Sequence, residues 1–262
     1  MLTFAPNISW LFPELPFARR AQAAADAGFT AIEFGFPSHA DLKALETARK
    51  NLGLTIVLFN QDVPVWNRQN RGYLVDPARR DEFQRRLDEA LEIARRLEVL
   101  KIMLPAGVEV PELSRLEMRD CMVENLHYAA PLASQAGVLL TIEVLNPIDN
   151  PGYFLTSSQE AIEIVRLVNH PNVRFQFDTY HLQLMEGNLA QTLRDHMPWI
   201  GHIQFADYPG RHEPGTGEVD FKLLANVIED AGYQSFIGLE YIPLAAGAAA
   251  LAWAPQLLRA AS

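Results

Sequence analysis

Four oxygen-bearing side chains stand at or near the ends of short apolar runs. Glu143 closes Leu139-Leu-Thr-Ile-Glu143 and Asp178 closes Val173-Arg-Phe-Gln-Phe-Asp178. Gln204 lies in Ile200-Gly-His-Ile-Gln-Phe205, and Glu240 closes Ser235-Phe-Ile-Gly-Leu-Glu240. If these runs are β-strands, successive side chains point to opposite faces. Thr141 then shares a face with Glu143, Gln176 with Asp178, His202 with Gln204 and Gly238 with Glu240. The intervening residues, among them Ile142, Phe177, Ile203 and Leu239, are apolar and suit a face packed on helices. Carboxylates gathered on one interior side repel one another and lose their water, and a divalent cation removes both costs. Glu, Asp and Gln oxygens suit Mg²⁺ or Mn²⁺, and the acidic pair with bound water would also take Co²⁺ or Zn²⁺. One acid at a strand end reads as a cap or loop solvator. Glu143, Asp178, Gln204 and Glu240 together read as a metal site.

Other polar residues are sorted by the same parity. His202 lies one layer deeper than Gln204 and reads as a hydrogen-bonded interior residue. His181, in Asp178-Thr-Tyr-His181, is expected to start the loop after the sixth strand and to overhang the site. Arg211 sits in the long loop after the seventh strand, where a cation can reach an anionic substrate. Gly215-Thr216-Gly217 in that loop lacks the spacing of a phosphate cradle and reads as turn geometry. Glu33 and Asn60 also end strands and are taken as walls of the site, Asn60 with the substrate-binding set. His39, His127, His170 and His196 fall on helices or connections and read as surface residues.

Positioning these groups requires a regular scaffold, and the sequence repeats one phrase that supplies it. Ala27-Gly28-Phe29, Leu52-Gly53-Leu54, Ala136-Gly137-Val138 and Ala231-Gly232-Tyr233 each follow a helical pattern and precede a short apolar run. A glycine there closes a helix in the left-handed conformation before the chain enters a strand. With these anchors, strands are predicted over 2–8, 31–35, 54–60, 99–104, 138–144, 173–178, 200–206 and 235–240. Helices are predicted over 17–27, 40–51, 77–97, 115–136, 158–169, 188–197, 221–231 and 246–260. Asp76-Pro77 begins the third helix with a cap and a first-turn proline, and Ser157-Ser-Gln-Glu160 begins the fifth with a capping box. Strand and helix alternating eight times imply an α/β fold, a (β/α)₈ TIM barrel, with active residues at the carboxyl ends of the strands. A doubly wound open sheet is the structural rival. No linker or shift in composition divides 1–262, so one domain is expected.

The 262 residues match the size of such a barrel, and the 49% apolar content is ample for its core. With 22 basic against 32 acidic residues the net charge is −10, which disfavours a nucleic-acid surface. The pairs Arg19-Arg20, Arg79-Arg80, Arg85-Arg86 and Arg95-Arg96 lie among acids on helical segments and read as solvated faces. No apolar run approaches the length of a membrane span. The N-terminus lacks a basic segment and a small-residue cleavage site, so no signal peptide is expected and a cytoplasmic location is. The sequon Asn7-Ile8-Ser9 is then without consequence. The single cysteine, Cys121, reads as a packed thiol rather than a nucleophile.

The chain resembles the hydroxypyruvate isomerase family of the xylose-isomerase-like barrel superfamily. The resemblance runs nearly end to end and is carried by Phe4-Ala-Pro-Asn-Ile-Ser9, Val123-Glu-Asn-Leu-His-Tyr-Ala-Ala130 and Pro151-Gly-Tyr-Phe-Leu-Thr156. It continues through Gln176-Phe-Asp-Thr-Tyr-His181, Met185-Glu-Gly-Asn188, Gly201-His-Ile-Gln-Phe-Ala-Asp207, Arg211-His-Glu-Pro-Gly-Thr-Gly-Glu218 and Glu240-Tyr241. By that resemblance Glu143 and Glu240 match the catalytic pair, and Asp178 and Gln204 the remaining metal positions. His181 and Arg211 match positions that contact substrate oxygens in related ketose epimerases. Those epimerases usually carry His where Gln204 stands, which points toward the isomerase branch. Two stretches depart from the pattern. Gln61–Gly72 keeps only a tryptophan and the final Arg-Gly, and Ile242 replaces a lysine common in the family. The implied reaction is a metal-dependent aldose–ketose isomerisation of hydroxypyruvate to 2-hydroxy-3-oxopropanoate (tartronate semialdehyde) through a cis-enediolate. A 2-oxo-tetronate isomerase and a ketose 3-epimerase would use the same residues on other small oxo-acids or sugars. A non-catalytic sugar- or acid-binding barrel is the alternative from another class. Assembly into a homo-oligomer stays open.

Overall fold

The computed structural model describes residues 2–251 and 253. Its strands are β1 (Thr3–Pro6), β2 (Ala31–Phe34), β3 (Thr55–Asn60), β4 (Lys101–Met103), β5 (Leu139–Glu143), β6 (Val173–Asp178), β7 (Ile200–Phe205) and β8 (Phe236–Leu239). Its helices are α1 (Phe17–Asp26), α2 (His39–Leu52), α3 (Arg80–Leu97), α4 (Arg115–Gln135), α5 (Ser158–Val168), α6 (Thr179–Met185), α7 (Leu189–His196) and α8 (Phe221–Asp230). The sheet order is β1-β8-β7-β6-β5-β4-β3-β2, with parallel pairing. Its two ends are joined where Asn7 and Glu33 form a parallel bridge and the Ile8 N–H donates to the Glu33 carbonyl at 2.8 Å. This is the expected (β/α)₈ barrel, because parallel strands joined by helical crossovers return to their starting point after eight units.

Two compact units divide the chain: one runs through 57 and resumes over 178–198 and from 202, the other takes 58–177 and 199–201. In the first, β8 lies between β1 and β7, pairing Ala5 and Gln204 with the same Gly238. In the second, β5 lies between β4 and β6, pairing Thr141 with Arg174 and Glu143 with Gln176. Registered partners in a parallel pair point the same way, so Thr141, Glu143 and Gln176 share a face, as parity required. A 2.8 Å hydrogen bond from Thr141 Oγ1 to Gln176 Oε1 fixes that face. The alternate residues Leu140, Ile142, Phe175 and Phe177 are fully buried.

All four junction glycines have positive φ, and Gly53 at 65° caps α2 by donating its N–H to the Arg49 carbonyl. Four local expectations need correction. His181 does not start a loop: α6 begins immediately after β6, and Asp178 is its N-cap, accepting from the backbone N–H groups of Tyr180 and His181. Ser157 makes no side-chain cap bond, and the Glu160 carboxylate that would close the box faces Arg115, whose Nη2 lies 2.8 Å from Oε2. The capping box sits on α4, where Ser114 and Glu117 bond reciprocally. Asp76 does cap, but it begins a 3-10 turn over Pro77–Arg79 that leads into α3. The helix expected over 246–260 is a 3-10 turn at Gly247–Leu251, and most of the remainder lies outside the described residues.

Candidate active site

The first unit brings Asp178, His181, Arg211 and Glu240 together. Asp178 ends β6, and its roles divide between its two oxygens. Oδ1 accepts from the Tyr180 and His181 N–H groups at 2.7 and 3.2 Å, while Oδ2 faces Arg211 Nη2 at 3.4 Å. The same Nη2 lies 3.6 Å from Oε2 of Glu240, the residue after β8. The guanidinium is seated against two rings, 4.6 Å from the Trp10 centroid and 5.3 Å from that of Tyr180, contacts that favour a cation. Arg211 itself adopts φ 57°, held by the Ile242 N–H donating to its carbonyl at 2.7 Å. The loop behind it is organised by Asp207, whose carboxylate accepts from the N–H groups of Gly215, Gly217 and Val219. Ordinary turn chemistry therefore accounts for Gly215-Thr216-Gly217.

Electrostatics follow from burial. Asp178 is raised above the usual carboxylate range by desolvation, with Arg211 and the two backbone donors opposing and Glu33 adding to the rise. Glu240 is pushed up to about 8 by desolvation, with Arg211 opposing, Asp178 and Glu33 adding, and a hydrogen bond from Trp10 opposing. His181 is held well below its ordinary value by burial and by Arg211, so its ring is neutral at pH 7. An oxygen of Asp178 and a ring nitrogen of His181 lie within 4.8 Å of each other. Buried Asp178 and the neutral ring of His181 offer an oxygen and a nitrogen of the kind a divalent cation takes as ligands.

Below this lies a layer that strand parity only half revealed. Glu33 on β2 is fully buried. Its Oε2 lies 2.8 Å from His202 Nε2 and its Oε1 accepts from Gln204 Nε2 at 2.7 Å. Asn7 Nδ2 donates to Oε1 at 3.4 Å. His202 is thus the interior residue expected, and Glu33 is far more than a wall. Its only advance signal is an acid between Ile32 and Phe34, a pattern shared with any solvent-facing strand acid. Asn7 is buried as well, so the sequon is structural. In the second unit Glu143 is buried at the end of β5, while Asn60 is half-buried at the end of β3. Trp10 and Tyr180, the rings beside Arg211, were not anticipated.

A model of the xylose isomerase-like TIM barrel family matches residues 21–260. The hydroxypyruvate isomerase of Escherichia coli (strain K12) is 37% identical over 253 residues, 97% of this chain and 98% of its own. The 2-oxo-tetronate isomerase of Cupriavidus necator is 38% identical over 253 residues, 97% of each chain. The chain belongs to the hydroxypyruvate isomerase family of xylose isomerase-like TIM barrels. Among solved structures, one named as an AP endonuclease, family 2, from Brucella melitensis superposes with a TM-score of 0.93 at 37% identity, covering 97% of this chain and 99% of that one.

Within this family's barrel, the stretches that carried the resemblance divide between site and scaffold. Asn125 of the 123–130 stretch is buried on α4 and donates to the Leu74 carbonyl at 2.9 Å. Tyr153 of the 151–156 stretch accepts from the Ala106 N–H at 2.8 Å and donates to the Glu143 carbonyl at 3.4 Å. It therefore holds the backbone that carries Glu143. Arg71 bonds to the Asn150 side chain. Gly72, at φ 128°, lies so close to Pro105 that a Cβ would overlap its carbonyl, which explains why Arg71-Gly72 persists in an otherwise divergent stretch.

Proposed function

We propose that the chain is an aldose–ketose isomerase acting with a divalent metal ion, Mg²⁺ or Mn²⁺ by the hardness of its donors, on hydroxypyruvate. The observation that carries this reading is the pair of buried carboxylates, Asp178 and Glu240, bridged by one guanidinium beside a neutral His181. Glu143, Asp178, Gln204 and Glu240 would hold the metal. When bound, such an ion supplies Lewis acidity toward adjacent carbonyl and hydroxyl oxygens.

The chain's own groups account for the proton movements. Arg211 binds the substrate carboxylate, for which its five N–H donors suffice, while Trp10 and Tyr180 keep water from that pair. One of Glu143 and Glu240 takes the proton from C3 to give the enediolate. The hydroxyl proton passes from the C3 oxygen to the C2 oxygen, and the other glutamate delivers a proton to C2. The direction of reaction exchanges their roles. His181, neutral, polarises a substrate oxygen. General acid–base steps of this kind contribute ~10²–10⁴-fold each.

A four-carbon substrate is the second reading, because the C. necator 2-oxo-tetronate isomerase is as similar to this chain, at 38% identity, as the E. coli hydroxypyruvate isomerase at 37%. Ile242 in place of the family's lysine bears on the same choice. A nucleic-acid substrate is disfavoured by the net charge of −10 and by Arg79, Arg80 and Arg86 being spent on Glu82, Glu124 and Asp62.

The test is proton exchange followed by NMR. Hydroxypyruvate and 2-oxo-tetronate are incubated in D₂O with enzyme carrying Mg²⁺ or stripped by EDTA. Deuterium entering C3 of the substrate and C2 of the product, in both cases only with metal, is expected. Binding without exchange would establish a non-catalytic barrel, and undiminished turnover after stripping would end the metal reading.

A further inference from the structure

We infer that Glu33 is a positioning residue that turns the Gln204 side chain so that its carbonyl oxygen, not its amino group, is offered to the metal. The inference rests on the reading of Gln204 as a ligand. A glutamine amide has two ends of nearly equal size, and only the oxygen end attracts a cation. A ligand of this type is therefore useful only if something outside the site decides its orientation.

Glu33 has the chemistry to decide it. An ionised carboxylate accepts hydrogen bonds and donates none. The end of Gln204 that meets Glu33 Oε1 at 2.7 Å is the amino group, and the oxygen end is turned away from Glu33. Glu33 is itself fixed on every flank. His202 Nε2 lies 2.8 Å from Oε2, and Asn7 Nδ2 donates to Oε1 at 3.4 Å. Gly238, the register partner of Gln204 on β8, leaves the space the carboxylate fills, since a Cβ there would overlap both of its oxygens. Four strands thus supply one device: the acid from β2, the amide and imidazole from β7, the vacancy from β8 and the amide after β1. Outer groups that orient metal ligands commonly govern affinity by ~10–100-fold.

The experiment measures Mn²⁺ binding by calorimetry and by electron paramagnetic resonance on the metal-stripped protein. Glu33→Gln keeps the shape but can pair with either end of Gln204, accepting from its amino group or donating to its oxygen, so Mn²⁺ affinity is expected to fall about 10–100-fold, with kcat largely recovered at saturating Mn²⁺. In a Gln204→Ala background the same change is expected to cost little, because Glu33 then has no amide to orient. Glu33→Asp, which keeps the charge one methylene short, guards against a Gln variant that fails to fold and is expected to lose less. Unchanged affinity in Glu33→Gln, or an equal loss with and without Gln204, would overturn the positioning role while leaving the metal site standing. A parent protein that binds no Mn²⁺ would overturn both.

Discussion

Glu240 lies 3.6 Å from Arg211, and burial raises it to about 8. A carboxyl with that setting is suited to exchange protons near neutrality. Glu240→Gln keeps the volume and removes the base. It is expected to lower kcat by ~10²–10⁴-fold with an unchanged circular dichroism spectrum, and a loss under tenfold would remove Glu240 from the chemistry. Cys121 illustrates the opposite case. Burial pushes its thiol up, with Arg80 only partly opposing, so thiolate is scarce at pH 8. A disulfide reagent is expected to leave the native protein unlabelled over minutes and to titrate one thiol after denaturation. What was legible at this scale was the acid or amide at each strand end. Glu33 was not, because its partners are 169 and 171 positions away and nothing local separates it from a surface acid.

Helix starts carry their own energetics. On α4, Ser114 accepts from the Glu117 N–H while the Glu117 carboxylate accepts from the Ser114 N–H at 2.8 Å. Ser114→Ala is expected to cost about 1 kcal/mol. The backbone and hydroxyl bonds from Ser114 lower the Glu117 carboxyl below its ordinary value. A depressed carboxyl contributes stability above the unfolded-state value, and that contribution disappears as pH falls through the folded one. The gap in Tm between parent and Ser114→Ala should therefore narrow in acid; a gap that widens would refute the assignment. The sequence of α5 offered an equally good box at Ser157, yet Arg115, 45 positions away, takes Glu160. Local pattern names the candidates, and tertiary charge chooses among them. The short helix α6 escaped notice for a related reason: its cap is Asp178, a residue already spoken for by the metal reading.

At the scale of the molecule the eightfold alternation was readable because each junction glycine marks a helix end with a backbone requirement no other residue meets as cheaply. The boundaries between the two compact units were not readable. Two of them fall inside β3, after Val57, and inside β6, after Phe177, where the apolar runs continue without a change of composition. A metal that binds only the folded chain stabilises it by about 2.7 kcal/mol at a hundred times its Kd. Calorimetric scans are accordingly expected to show Tm rising with Mg²⁺ or Mn²⁺ and falling with EDTA, with the shift lost in Glu240→Gln. A Tm indifferent to metal would count against the whole site.

The close approach of Gly238 to Glu33 constrains how this barrel can change over time. Neither position is free to drift alone: a side chain at 238 evicts the acid, and loss of the acid leaves a void beneath Gln204. The two loci must be inherited as a pair. A library randomising 238 by itself should return glycine among active clones, whereas joint randomisation of 33 and 238 should yield survivors in which a shorter residue at 33 accompanies a larger one at 238.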